Sequence, residues 1–280
     1  FFSPAEIEAL VPGDTATHAT RWSVPGGVDG HEFTLLPMRA FSLKVGSWVD
    51  GYYVGYWPAE RRGIHSEAYR NPAGFIEVTP ANEDTYVSSH FRLRDFVTHD
   101  QAGVWPKYVV LREQLLDKLE LVLQDLSAHG INTSHVIVLS GFRTPAYNLA
   151  LGDASGRARE SRHQYGDAAD IIIDADYDGR MDDLDLDGRV DTRDVKVIER
   201  AVERVERKYP DLIGGLGLYD AMGPRGPFAH IDVRGELKRW TGNSRSRALA
   251  AADASATRVA GCYATGPSAV LCARVRRHAH

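Results

Sequence analysis

Apolar residues recur at helical spacing between Val109 and His129: Leu111, Leu115, Leu119, Val122 and Leu126 share one face, and Gly130 ends the run. The spacing predicts an amphipathic helix with that face in a core. Val195, Ile198, Val202, Val205 and Tyr209 describe a second helix, which Pro210 stops. Three short apolar runs, Val136 to Leu139, Ala168 to Ile173 and Phe228 to Val233, have the length and branching of strands. Residues 31 to 60 read as further strands, through Phe33-Thr-Leu, Phe41-Ser-Leu and Tyr52-Tyr-Val-Gly-Tyr, broken by Pro and Gly. Gly74-Phe-Ile-Glu-Val-Thr adds another before Pro80. The pattern predicts an α+β fold. A small β-rich region (1–88) precedes a domain with a small mixed or antiparallel sheet and flanking helices (89–240). Beyond Trp240 the chain turns to Ala, Ser and Arg with little periodicity, which predicts a loosely ordered tail (241–280).

The charge is unevenly spread. Residues 167 to 194 carry eleven Asp and three Arg, a local balance of −8 within a net charge of −5, so the remainder is slightly basic. The acidity is one concentrated feature, which argues for cation binding there. No basic run with interleaved aromatics points to nucleic acid, and no apolar stretch is long enough for a transmembrane segment. The chain begins Phe-Phe-Ser-Pro with neither an initiator Met nor a basic-then-apolar leader, as expected of a processed or trimmed product. Cys262 and Cys272 can close a small loop in an oxidising compartment. Trp48, Trp57 and the nearby tyrosines can stack on sugar rings, although core packing is the commoner use of such residues.

Within the acidic stretch, Asp183-Leu-Asp185-Leu-Asp187-Gly188-Arg189-Val-Asp191-Thr-Arg-Asp194 fits the twelve-residue calcium loop of EF-hands. Carboxylates fall at loop positions 1, 3, 5, 9 and 12, Gly188 takes the sharp turn at position 6, and Arg189 offers its carbonyl at position 7. The last ligand is Asp, shorter than the usual Glu. Asp174-Ala-Asp176-Tyr-Asp178-Gly179-Arg-Met-Asp182 repeats the pattern just before it, which makes a second calcium conceivable. Asp183 and Asp185 are then expected to be shared between the two loops (174–194).

Ser161-Arg-His163-Gln-Tyr-Gly166-Asp-Ala168-Ala-Asp170 sets a histidine and a carboxylate seven residues apart, and His230 follows in Phe228-Ala-His230-Ile-Asp232. Two histidines and one carboxylate leave one position of a tetrahedral zinc open. A metal held that way supplies a nucleophile near neutral pH and polarises a carbonyl, which is hydrolase chemistry.

With Ser140-Gly-Phe-Arg143-Thr-Pro-Ala-Tyr-Asn148 upstream, these motifs resemble the zinc D-alanyl-D-alanine carboxypeptidase and endopeptidase family of bacterial cell-wall peptidases, over about residues 89 to 240. That family carries an S-G-[FY]-R-[ST] segment, an S-x-H-x-x-G-x-A-x-D segment and a late strand histidine in this order. The resemblance implies that His163, Asp170 and His230 hold zinc. It implies that Arg143 grips the substrate's carboxylate and that Ser161 and Asn148 line the substrate site. It further implies peptidoglycan stem peptides as substrate and a periplasmic or secreted bacterial location.

Relatives often place an acidic residue three positions before the last histidine, as the base that activates water. This chain has Pro227 there. Strand alternation puts His230 and Asp232 on one face, so Asp232 is expected either as a partner for a ligand histidine or as the substitute base, with Asp220 as second choice. The missing acid leaves a rival reading open: a zinc- and calcium-containing module that binds cell-wall peptide without cutting it.

Overall fold

The computed structural model describes residues 20–23, 32–64, 66–150, 158–220 and 223–242. The tail from 243 onward, with Cys262 and Cys272, lies outside the described residues. Over the described residues the fold is α+β.

The first half is built from short antiparallel pairings. β1 (Thr20–Ser23) pairs with β2 (Glu32–Leu35). β3 (Met38–Ala40) is followed by a two-stranded hairpin of β4 (Trp48–Val49) and β5 (Tyr52–Tyr53), joined through Asp50 and Gly51, both at positive φ. Phe41–Leu43, expected as a strand, is instead a 3-10 turn. A short helix α1 (Pro58–Arg62) leads to β6 (Gly74–Val78), which pairs with β3 on one side and with β7 (Lys107–Val109) on the other.

β7 accounts for the difference between the expected helix at Val109 and the observed one. Val109 pairs with Ile76, Arg112 stays extended, and α2 begins at Glu113 and runs to Ala128. The Tyr108-Val109-Val110 run is branched and aromatic, which suits a pleated surface better than a helix interior. Leu115, Leu119, Val122 and Leu126 of α2 are fully buried, as the spacing predicts. Each such side chain contributes roughly 2 kcal/mol relative to exposure.

The second half carries one five-stranded sheet in the order β12-β10-β11-β9-β8. Its strands are β8 (Val136–Ser140), β9 (Ala168–Ile173), β10 (Gly215–Tyr219), β11 (Phe228–Asp232) and β12 (Lys238–Gly242). β10 and β12 run parallel and the other neighbours antiparallel, so the sheet is mixed. α3 (Pro145–Ala150) follows β8, and α4 (Thr192–Lys208) packs on α2, β10 and β11. α4 starts before the apolar run at Val195 because Asp191 caps it, accepting from Arg193 N at 2.8 Å while Asp194 accepts from Asp191 N at 2.7 Å.

One continuous core joins Tyr52, Trp57 and Phe75 of the first half to Ile171, Val202 and Ile231 of the second. β7, beyond the boundary expected at residue 88, completes the sheet that β3 and β6 begin before it. Beneath the large sheet, Lys118 of α2 is wholly buried and donates to Glu206 of α4 at 2.7 Å and to the Asp232 carbonyl at 2.8 Å. A buried lysine without such partners would be strongly unfavourable.

Candidate metal centre

β9 and β11 pair in a register that sets Asp170 directly opposite His230. Directly opposed residues point to the same face, so the pairing alone brings a carboxylate and an imidazole together. His163 arrives from a 3-10 turn, Arg162–Tyr165, that ends at Gly166 in the left-handed region (φ 65). A Cβ at Gly166 would lie 2.2 Å from the Val110 carbonyl oxygen, so only glycine lets the turn close against the segment that follows β7.

The three side chains converge. His163 Nε2 lies 3.1 Å from His230 Nδ1 and 3.3 Å from Asp170 Oδ1, and His230 Nδ1 lies 2.8 Å from Asp170 Oδ1. All three residues are buried. Atoms at tetrahedral positions about 2.0–2.1 Å from one ion are roughly 3.3 Å apart, so the spacing suits a shared cation.

Tautomers strengthen the fit. His163 Nδ1 is 2.7 Å from the Gly141 carbonyl, which can only accept, so Nδ1 carries the hydrogen and Nε2 presents a lone pair. His230 Nε2 faces Asp232 Oδ2 at 3.2 Å and its Nδ1 faces Asp170. Burial lowers the His230 pKa, but the bonds to these two carboxylates outweigh it and raise it, and a ring whose only proton is on Nε2 offers the Nδ1 lone pair to the centre. Burial, with Arg143 nearby, pushes His163 down to about 4, so it stays neutral near pH 7. Burial pushes the Asp170 carboxyl up, but at the low pH where His163 is itself charged that charge, with the permanent one of Arg143, outweighs burial and holds the group well below the usual range. Two imidazole nitrogens and a carboxylate oxygen this close can share one cation. The donor set can hold a metal ion.

Asp232 is fully buried on the far side of the His230 ring, where it also accepts from Gly215 N at 2.7 Å and from Arg234. Burial raises its pKa, yet the bonds from His230 and Arg234 outweigh that and keep it ionised. It thus braces the His230 ring at Nε2, on the side away from Asp170. Asp220 lies half-buried just past the end of β10, outside the converging group. If Asp232 orients His230, Asp232→Asn should weaken metal affinity about 10- to 100-fold, measured by competition with a chromogenic chelator. Unchanged affinity would leave Asp232 as an anchor for Gly215 and Arg234.

Arg143 is buried, donating to Asp170 Oδ2 at 2.6 Å and to Ser140 Oγ at 2.7 Å. The guanidinium expected to grip a substrate carboxylate holds the carboxylate of Asp170. Asn148 is also buried, and its amide nitrogen donates to the Ala158 and Arg159 carbonyls at 3.0 and 3.3 Å. That bracing supports the backbone just before Ser161, whose carbonyl accepts from Gln164 N.

Trp240 belongs to no motif in the sequence. Its indole lies across Gly217, where a Cβ would come 2.5 Å from the ring, and its centroid is 5.2 Å from that of His230. Trp240 Nε1 donates to the Tyr219 hydroxyl at 2.9 Å, and Tyr219 stacks on Phe228 at 4.5 Å. The only available signal was Gly217 between two leucines, a strand glycine that marks close approach by another group.

Two acidic groups lie between the end of β9 and the first turn of α4: Asp174, Asp176 and Asp182, then Asp183, Asp185 and Asp194. Either can hold a metal ion, and all-oxygen donors suit hard cations. The sequence repeat is a structural repeat. Gly179 and Gly188 both take φ 82, Gly179 N donates to Asp174 at 3.2 Å, and Gly188 N donates to Asp183 at 2.7 Å. Asp183 and Asp185 are not shared, because Asp182 completes the first group and Asp194 the second. Asp178 stays outside the first group, while Asp187 and Asp191 turn to Arg193. No family model matches this chain, and no curated protein or solved structure matches it.

Proposed function

We propose that the chain is a zinc-dependent peptidase that hydrolyses peptidoglycan stem peptides, as a D,D-carboxypeptidase or D,D-endopeptidase, in the periplasm or outside the bacterial cell. The observation that carries the reading is the convergence of His163 Nε2, Asp170 Oδ1 and His230 Nδ1 at 2.8–3.3 Å, with both histidine tautomers oriented from behind. This donor set suits zinc, which when bound polarises a carbonyl and makes water acidic enough to attack near pH 7. The chain's own residues supply the geometry. Gly141 and Asp232 fix the two imidazoles, and Arg143 fixes the carboxylate. The oxygen-only groups at 174–194 suit calcium, at Asp183, Asp185 and Asp194 first and at Asp174, Asp176 and Asp182 second.

Digesting purified peptidoglycan with zinc-loaded protein and weighing the fragments tests the reading. Loss of D-alanine or of a D,D-cross-link is the expected result, and unchanged fragment masses would overturn it. A second reading is favoured by Pro227 and by the inward-turned Asp232, which leave no carboxylate identified as base: a module that binds stem peptide without cutting. Retention of protein on intact sacculi with no mass change selects that reading.

Arg143 offers a separate check. Because its guanidinium holds Asp170, Arg143→Lys should weaken metal retention by roughly tenfold along with the rate, since an ammonium cannot bridge Asp170 and Ser140 at once. Full metal affinity with lost turnover would instead assign Arg143 to the substrate's carboxylate.

A further inference from the structure

Trp48 and Tyr53 oppose each other directly across the β4–β5 hairpin, with ring centroids 4.8 Å apart. Alternation buries their neighbours Val49 and Tyr52 and sends these two rings outward, 49% and 40% exposed. Trp105, 38% exposed, stands on the adjoining loop. That loop is tied to the hairpin, since the Gln101 side chain accepts from Tyr53 N at 3.0 Å and donates to Tyr53 O at 2.9 Å. Lys107 Nζ, 5.2 Å from the Trp105 ring centroid, donates to the Gln101 carbonyl at 2.8 Å. The rings are therefore exposed on a braced edge. Trp57 is different: it is fully buried and donates to the Gln164 carbonyl at 2.8 Å, so it belongs to the core.

The same hairpin abuts the metal centre's supports. The Val54 carbonyl, one residue after Tyr53, accepts from Ala146 N at 3.0 Å, and Ala146 lies three residues beyond Arg143. Gly55 sits so close that a Cβ there would come 2.7 Å from Ala146 N. Trp57 in turn holds the residue next to His163.

We propose that the Trp48–Tyr53 ledge, with Trp105 beside it, is a glycan-binding subsite that seats the sugar strand from which a stem peptide hangs; the identity of that sugar rests on the peptidase reading. A pyranose ring presents an apolar face of C–H bonds to an aromatic ring and keeps its hydroxyls for polar side chains at the rim. The rim carries both signs, as the exposed Arg39–Asp50 pair at 2.9 Å. That pair offers polar partners of both signs to the hydroxyls of a sugar. Three rings at this exposure offer roughly 300 Å², well below the ~800 Å² per partner of a stable protein interface. Rigid aromatic anchors also lose little conformational entropy when a ligand docks.

The test is calorimetry of the zinc-loaded full chain with a β-1,4-linked N-acetylglucosamine tetramer and with glycan strands stripped of peptide. Wild type should bind both, and Trp48→Ala and Tyr53→Ala should each weaken binding at least tenfold without lowering the melting temperature appreciably. Hydrolysis of a soluble, sugar-free stem peptide should be unchanged in both variants, while hydrolysis of intact peptidoglycan falls. Absence of sugar binding in wild type, or wild-type affinity in both variants, overturns the subsite. So does sedimentation showing that Trp48→Ala converts a dimer to monomer, which would make the ledge a contact between copies. Sugar binding at Trp48 without cleavage of any stem peptide would sustain the ledge and sink the peptidase reading.

Discussion

His163→Ala is expected to abolish both metal retention and hydrolysis. Removing an outer partner of a ligand histidine costs up to ~100-fold in affinity, and removing the ligand itself must cost more. Asp170 and His230 would remain as two donors, too few to define a tetrahedral site with one open position. The substitution also leaves the Gly141 carbonyl without its 2.7 Å donor in a buried setting. Metal content after gel filtration, measured by mass spectrometry beside the melting temperature, separates the effects. Folded protein that keeps one equivalent of zinc would remove His163 from the ligand set.

Withdrawing calcium at buffered zinc is expected to lower thermal stability and rate together. β9 presents Asp170, and four residues later, about 13 Å on if extended, Asp174 opens the first acidic loop. Asp174 is anchored there, its N–H donating to the His135 carbonyl at 3.1 Å, while Asp182 N donates back to Ile173 O at 3.0 Å. The second loop ends in the cap of α4, and α4 packs on β11, which carries His230. Both strands that bear ligands are thus tied to the acidic segment, one by chain continuity and one by packing. An ion at a hundred times its dissociation constant adds about 2.7 kcal/mol of stability, which for a chain of this size corresponds to roughly 5–10 °C. A ligand displaced by even ~1 Å can cost about a hundredfold in rate. Calorimetry and peptide hydrolysis across a calcium titration check both effects. If neither melting temperature nor rate responds, the acidic loops do not govern the centre.

Local chemistry was legible in the chain and long-range partnership was not. The two helices, strands β8, β9 and β11, and the repeated acidic loops could be read directly. Each depends on a spacing or a turn glycine within a dozen residues, as with Gly179 and Gly188. β10 and β12 carry little strand signal, because Gly-Leu-Gly-Leu-Tyr and Lys-Arg-Trp-Thr-Gly lack the branched alternation of a strand and are held by their neighbours in the sheet.

By itself the sequence determined the α+β class and which residues could supply metal donors, since ligand chemistry and short-range backbone geometry travel with residue type and spacing. Only the tertiary structure decided what each donor faces. The β9–β11 register put Asp170 opposite His230, turned Asp232 behind the imidazole and gave Arg143 a carboxylate of the chain itself. It also divided the acidic run at Asp182 and Asp183 and sent Trp57 inward but Trp48 outward. The reason is physical: a side chain's partner depends on which strand lies alongside and which face it turns, and those are settled by burial of the whole core at once.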